Sequence, residues 1–199
     1  MPKPVQPDSD EGTLMKKIIS LFQRNYETDR LVRNEVVPGA EWVLAGEGIA
    51  TQKHDGTCCM VRNGKFYKRY DVKKGRTAPP DFEPAQEADE ITGHQPGWLP
   101  VGDGPEDKWH REAWANYFLL PNGTYELCGE KINGNPEKLR GHVLIQHGVI
   151  VLSDAPRQYE DLPAYFKTND IEGIVWHHPD GRMVKIKARD FNVGPRCKR

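Results

Sequence analysis

Lys53 stands in Thr51-Gln52-Lys53-His54-Asp55-Gly56-Thr57, where a lysine enters a glycine turn between two strand-like runs. A primary amine is a nucleophile only when neutral. With an ordinary lysine pKa of roughly 10.4, freeing it at pH 7 costs about 4–5 kcal/mol unless its surroundings help. A second segment, Ile171-Glu172-Gly173-Ile174-Val175-Trp176, sets a carboxylate at the mouth of an apolar strand. A third, Val184-Lys185-Ile186-Lys187, puts two ammonium groups on one strand face by simple alternation. Taken singly, these are an ordinary hairpin, an ordinary strand start and an ordinary exposed face. Taken together they supply a nucleophile, neighbouring cations and a hard oxygen ligand.

The elements that must carry these residues follow from pattern. The chain has 199 residues, 37% of them apolar, and a mean hydropathy of −0.74, which fits one globular domain with a strongly polar surface. No run approaches the roughly 20 apolar residues of a membrane span, and the start does not read as a secretory signal, so a membrane or exported protein is not expected. Cys58, Cys59, Cys128 and Cys197 contain no C-x-x-C pair. That spacing favours a reduced, cytoplasmic setting without structural zinc.

Leu14, Met15, Ile18, Ile19 and Phe22 are spaced for a helix over residues 13–23 with Thr13 as its cap, although Ile-Ile-Ser-Leu-Phe also reads as a first strand. Residues 42–44 read as a short strand. Residues 58–61 and 65–70 flank Asn63-Gly64, a strong hairpin signal. Residues 76–107 read as a long surface excursion, residues 108–120 as a helix and 163–166 as a brief one. Residues 125–128, 143–145 and 149–152 read as strands, and 173–176 with 182–187 as a closing hairpin around Pro179-Asp180-Gly181. The expected fold is α+β with a mainly antiparallel sheet. Residues 1–12 are expected to be a flexible N-terminus, 13–190 one domain and 191–199 a basic tail.

The net charge of −1 conceals segregation. Residues 61–76 carry seven Lys or Arg against one Asp, and residues 182–199 repeat that balance. Residues 81–107 hold eight acidic side chains and no Lys or Arg. Two basic segments distant in sequence are either solvated loops paired with acidic ones or parts of one phosphate-binding surface.

The ordered series resembles the covalent nucleotidyltransferase superfamily of ATP-dependent ligases and capping enzymes. That superfamily shares K-x-D-G, a downstream arginine, an acidic strand, E-G-x-V and K-x-K. The resemblance is nearer to the vertebrate-type 5′-to-3′ RNA ligases and their bacterial relatives. It rests on Lys53-His54-Asp55-Gly56-Thr57-Cys58-Cys59, Gly97-Trp98-Leu99-Pro100-Val101 and Ile132-Asn133-Gly134-Asn135-Pro136. Leu144-Ile145-Gln146-His147-Gly148 and residues 171–177 complete it, over about residues 40–190.

The resemblance implies a nucleotidyltransferase core in which Lys53 attacks the α-phosphorus of ATP. Thr51, Gln52, Gly56, Arg69, Glu126, His147, Val175, Lys185 and Lys187 would line the nucleotide, and Glu172 would hold Mg²⁺ (or Mn²⁺) directly or through water. Arg69 would reach the ribose or an RNA 5′-phosphate, and Val175 would wall the adenine. The acidic strand offers Glu126 and, in reserve, Glu130; Asp55 and Asp71 are further reserves. His147 either covers the base or is a satisfied strand-end histidine, and His54, His177 and His178 default to local hydrogen bonds. Trp98 and Trp109 either stack on bases or pack the core, the latter being preferred.

Only twelve residues follow Lys187, too few for the oligonucleotide-binding (OB) barrel that closes over DNA ligases and capping enzymes. A catalytic core without a C-terminal OB barrel is therefore expected. The function this implies is an ATP-dependent RNA ligase of the repair kind, joining 5′-phosphate and 3′-hydroxyl RNA ends through lysyl-AMP and an adenylylated RNA end. The alternatives are an adenylyltransferase with another acceptor and a catalytically inactive module that binds a nucleotide or RNA end. RNA is the expected partner, with no membrane; no protein partner is indicated.

Overall fold

The computed structural model describes residues 15–196. In chain order they form β1 (Ile19–Ser20), β2 (Phe22–Arg24), β3 (Val32–Val36), α1 (Glu41–Leu44), β4 (Ile49–Lys53), β5 (Thr57–Arg62), β6 (Lys65–Val72) and β7 (Glu83–Pro84). There follow β8 (Gln95–Pro100), α2 (Lys108–Trp114), β9 (Gly123–Gly129), β10 (His142–Gln146), α3 (Leu162–Thr168), β11 (Gly173–His177) and β12 (Met183–Lys187). The fold is α+β, mostly antiparallel sheet with few short helices, as the alternating patterns predict. Among the described residues no helix is long and apolar enough to cross a membrane.

The chain forms two compact units. One comprises, of the described residues, 18–54 and 148–196, and its sheet runs β1-β12-β11-β4, beside the β2-β3 pair. Strand alternation builds its core. Val184 and Ile186 of β12, Ile174 and Trp176 of β11 and Ala50 of β4 turn to one side, where they meet Leu21, Phe22, Trp42, Val43, Leu162 and Phe166. The other unit comprises, of the described residues, 15–17 and 55–147, with a sheet ordered β10-β9-β5-β6-β8-β7. Cys59, Val61, Tyr125, Leu127 and Leu144 pack toward α2 on one face. Met60, Tyr67, Ala85 and Trp98 pack on the other.

The β5–β6 turn has Asn63 at φ 52° and Gly64 at φ 71°. Two successive positive φ values give the primed turn whose twist suits a hairpin, which is why Asn-Gly is so legible. The β11–β12 hairpin and α3 also lie where the sequence places them.

Several expectations fail, each for a physical reason. Of the two readings of residues 13–23, the strand and not the helix is found where the chain is described: β1 runs parallel to β12, and β2 pairs with β3. Pairing of the β-branched Ile19 against Val184 outweighs the helical spacing; Thr13 and Leu14 lie outside the described residues. The strand predicted at 42–44 is α1, closed by Ala45 N–H donating to Glu41 O and by Gly46 at φ 89°. Three residues are too few for periodicity to distinguish the two. The predicted excursion contains β8, six residues hydrogen-bonded to β6, which Pro96, Gly97 and Pro100 disguise. At Gly97 an added Cβ would stand 2.4 Å from Glu83 O, so the glycine is a point of close strand approach.

The helix predicted over 108–120 stops at Trp114, leaving Phe118 and Leu119 exposed. The strand predicted at 149–152 reduces to one bridge, Val151 to Thr51. Apart from these differences, Arg196, at the end of the described residues, is buried and its Nε donates to Asp170 Oδ1 at 2.9 Å. The expectations for residues 1–12 and 197–199 lie outside the described residues.

Candidate functional site

β4, β11 and β12 set the candidate residues of the first unit in two cross-strand rows. Gly173 of β11 is in register with Lys53 on one side and Lys187 on the other; two positions along, Val175 is in register with Thr51 and Lys185. Since Ala50, Ile174, Trp176, Val184 and Ile186 take the core face, period-two alternation puts Thr51, Lys53, Val175, Lys185 and Lys187 on the opposite one. Gly173 separates the two lysines without a side chain of its own. A Cβ there would come within 2.2 Å of Ile186 O.

Glu172, just before β11, is where the amines converge. Lys53 Nζ donates to Glu172 Oε2 at 2.6 Å, and Lys187 Nζ lies 2.6 Å from Oε1. The Glu172 side chain is 11% exposed, against 20% for Lys53 and 15% for Lys187. Burial alone would raise the Glu172 carboxyl, but Lys53 and Lys187 more than offset it and hold it below its ordinary value. Burial, reinforced by Lys187 and Lys53, brings Lys185 down to about 8. Lys187 is lowered by burial first and by Lys53 second. The face therefore holds three lysines around one carboxylate, an excess of positive charge suited to an anion such as a polyphosphate.

The surroundings hold this row in place. Thr51 Oγ1 donates to Val175 O at 3.2 Å and meets His177 Nε2 at 3.0 Å. Gln52 N–H donates to Ile150 O at 2.9 Å, and the Gln52 amide lies 3.4 Å from His54 Nδ1. Asp190 accepts the Lys187 backbone N–H at 2.9 Å and pairs with Arg24.

The other unit holds the remaining candidates. Glu126 of β9 is buried; its Oε1 accepts the Gly56 N–H at 3.1 Å and its Oε2 meets His147 Nε2 at 2.8 Å. His147 Nδ1 lies 2.9 Å from Thr124 Oγ1, so both ring nitrogens are engaged. Glu130 is exposed, and its N–H donates to Gly141 O at 3.1 Å. Gly56 is a true close approach: a Cβ would meet Leu127 O at 2.2 Å. Arg69 stacks over Trp98, 4.8 Å from the ring, and donates to Met15 O at 2.9 Å. Burial lowers the Arg69 guanidinium from its ordinary value. Asp71 hydrogen-bonds half-buried His94, its Oδ2 lying 3.1 Å from Nδ1. Trp98 is in the core, and Trp109 stacks on His142.

One positioning residue escapes sequence reasoning. Asn133, at φ 49°, donates from Nδ2 to Asp55 Oδ1 and to Gly56 O, both at 2.9 Å, clamping the turn after Lys53. An Asn-Gly-Asn-Pro run announces a turn, but not what the turn holds. His177 and His178 make the local hydrogen bonds expected of them, to Thr51 and to Glu47.

The family model described as RNA ligase 1 matches residues 117–194, which include Glu126, Glu172, Lys185 and Lys187. The chain is 30% identical to RNA ligase 1 of Mus musculus, over 73% of this chain and 67% of that one. It is 29% identical to RNA ligase 1 of Pongo abelii over the same shares. RNA ligase 1 of Danio rerio is 27% identical over 92% of this chain and 82% of its own.

Proposed function

Because the chain belongs to the RNA ligase 1 family, we propose that it is an ATP-dependent RNA ligase with Lys53 as its nucleophile. In this reading Lys53 Nζ attacks the α-phosphorus of ATP. The N–P bond forms, the bond to the β-phosphate oxygen breaks, and pyrophosphate leaves with the electron pair. AMP then passes from the phosphoramidate to an RNA 5′-phosphate, and an RNA 3′-hydroxyl displaces it to seal the strand.

The observation that carries the proposal is the convergence of Lys53 and Lys187 on Glu172, with Lys185 on the same face. The attacking amine must be neutral, so Lys53 gives up its bond to Glu172 and a proton as it reacts. At about 8, Lys185 is still mostly protonated at pH 7 and so remains a cation beside Lys53. Lys185 and Lys187 then face the phosphates, where fixed cations stabilise charge that grows in the transition state.

Glu172 also suits a hard divalent cation by its oxygen chemistry. Both oxygens are engaged by ammonium groups, so a cation such as Mg²⁺ or Mn²⁺ is accommodated through water or in exchange for one of them. When bound, such an ion supplies charge neutralisation at the phosphates.

The test is intact-protein mass after incubation with ATP and Mg²⁺. The expected result is a gain of one AMP, abolished in Lys53→Ala; a wild-type protein with no adduct under varied metals overturns the reading. A labelled RNA with a 5′-phosphate and a 3′-hydroxyl then separates a ligase, which lengthens or circularises it, from an enzyme that gives AMP to another acceptor.

A further inference from the structure

We propose that Arg24 and Asp190 are positioning residues for the lysine face, an ion pair that fixes where Lys187 stands when a phosphate is bound. The proposal rests on the ligase reading for the step it serves. For the rest it rests on the geometry of one unit, residues 18–54 and 148–196. Neither residue is a member of the cross-strand rows that carry Lys53, Lys185 and Lys187.

Lys187 ends β12, and an ammonium at a strand end is only as well placed as its own backbone. Two hydrogen bonds hold that backbone. The Lys187 N–H donates to Asp190 Oδ2 at 2.9 Å, and the next N–H, that of Ala188, donates to Glu172 O at 3.0 Å. The chain turns back at once through a 3-10 turn, Ala188–Phe191, which returns Asp190 to the residue three positions before it. Asp190 is buried, and its other oxygen pairs with Arg24. A buried carboxylate is tolerable only when paired. Arg24 comes from β2 and is itself fixed, since its Nη1 donates to Arg30 O at 3.1 Å. Three residues earlier on the same segment, the Leu21 N–H donates to Lys185 O at 2.8 Å. Residues 21–24 thus hold both lysines of the K-x-K run, Lys185 directly and Lys187 through Asp190.

The pair does more than close a turn. Glu172 is shared between Lys53 and Lys187, so a shift of Lys187 also changes the partner of the nucleophile. Asp190 is felt at Lys185 as well: burial, Lys187 and Lys53 lower that amine, and Glu172 and Asp190 oppose them. Without Arg24 the buried carboxylate is left to draw on the ammonium groups of β12, the ones that the reaction needs for phosphate.

Single-turnover AMP transfer tests this, followed by intact-protein mass over a range of ATP concentrations on protein with wild-type far-ultraviolet circular dichroism. A reacting group displaced by about 1 Å loses up to about 100-fold in rate. Arg24→Met and Asp190→Ala should each slow adduct formation at saturating ATP by about 10–100-fold, while half-saturating ATP moves far less. Asp190→Asn keeps an oxygen for the Lys187 N–H and Arg24→Lys keeps the charge, so each should recover part of the loss; both also serve where a harsher variant fails to fold. Arg24→Met with Asp190→Asn should be no slower than the slower single variant, because the two act as a unit. Competitive acetylation of the lysines, read by peptide mass, needs no ATP: Lys187 should react several-fold faster in Arg24→Met than in the wild type. Wild-type protein that gains no AMP overturns the ligase reading, and acetylation then decides the positioning role by itself. Unchanged rates per folded molecule overturn the proposal, leaving the pair a merely structural one. An unchanged rate at saturation with raised half-saturating ATP overturns it too, by putting Arg24 on the nucleotide. So does Lys187 acetylation that is the same in Arg24→Met, Asp190→Asn and the wild type.

Discussion

Replacing Glu172 by Gln tests whether one carboxylate carries the charge of the lysine face. The substitution keeps shape and removes one negative charge, leaving Lys53 and Lys187 facing each other with only 20% and 15% of their side chains exposed. Removing one partner from a mostly buried ion pair costs about 3–5 kcal/mol, and the residual exposure puts the expected loss at about 3 kcal/mol. In a chain of this size that corresponds to a melting point lower by about 6–12 °C. Urea unfolding at pH 7 gives the free energy directly. Adding Lys187→Met to the Gln variant should restore part of it, with a coupling of about 1–3 kcal/mol.

The pH dependence supplies a second, independent reading. The Glu172 carboxyl is lowered in the folded state from its ordinary 4.5. Its stabilisation is therefore complete above 4.5 and disappears as pH falls through the folded value. The difference between wild type and Glu172→Gln should be flat from pH 8 to about 5.5 and shrink below 4.5. A difference under about 0.5 kcal/mol at pH 7, or one that does not shrink in acid, refutes the assignment of Glu172 as the shared counter-charge.

Lys185 behaves oppositely: with a folded value of about 8 against 10.5, the unfolded chain holds the proton more tightly between those limits. Wild-type stability should thus rise with pH over that window, by about 3 kcal/mol relative to Lys185→Met, and a flat difference would count against the buried amine. Gly173→Ala forces a Cβ to within 2.2 Å of Ile186 O, so urea unfolding should show a loss of about 1–3 kcal/mol and ATP-driven mass gain should slow as Lys53 and Lys187 are pushed apart. An unperturbed Gly173→Ala variant would mean that β11 and β12 can separate freely.

What was legible in the sequence divides by range. Asn63-Gly64, the alternation of Val184-Lys185-Ile186-Lys187 and the Pro179-Asp180-Gly181 turn are local devices, and each element stands where its pattern puts it. The local pattern around Ile19 allows both helix and strand, and the choice depends on a partner 165 positions away, which no local window contains. β8 was hidden because Pro96 and Pro100 look like punctuation, while only their place in the ladder shows that they are tolerated there. Residues 42–44 were misread because a single helical turn carries no period at all.

The lysine face was legible for a different reason. Lys185 and Lys187 declare their common side by themselves, and the core residues of β4 and β11 declare the side they must share with Lys53 and Thr51. The closing of Glu172 on two amines was not declared, because it depends on Gly173 lying between both lysines in register. Sheet register, which converts distant sequence positions into neighbours about 5 Å apart, is the information that joins Glu172 to both lysines.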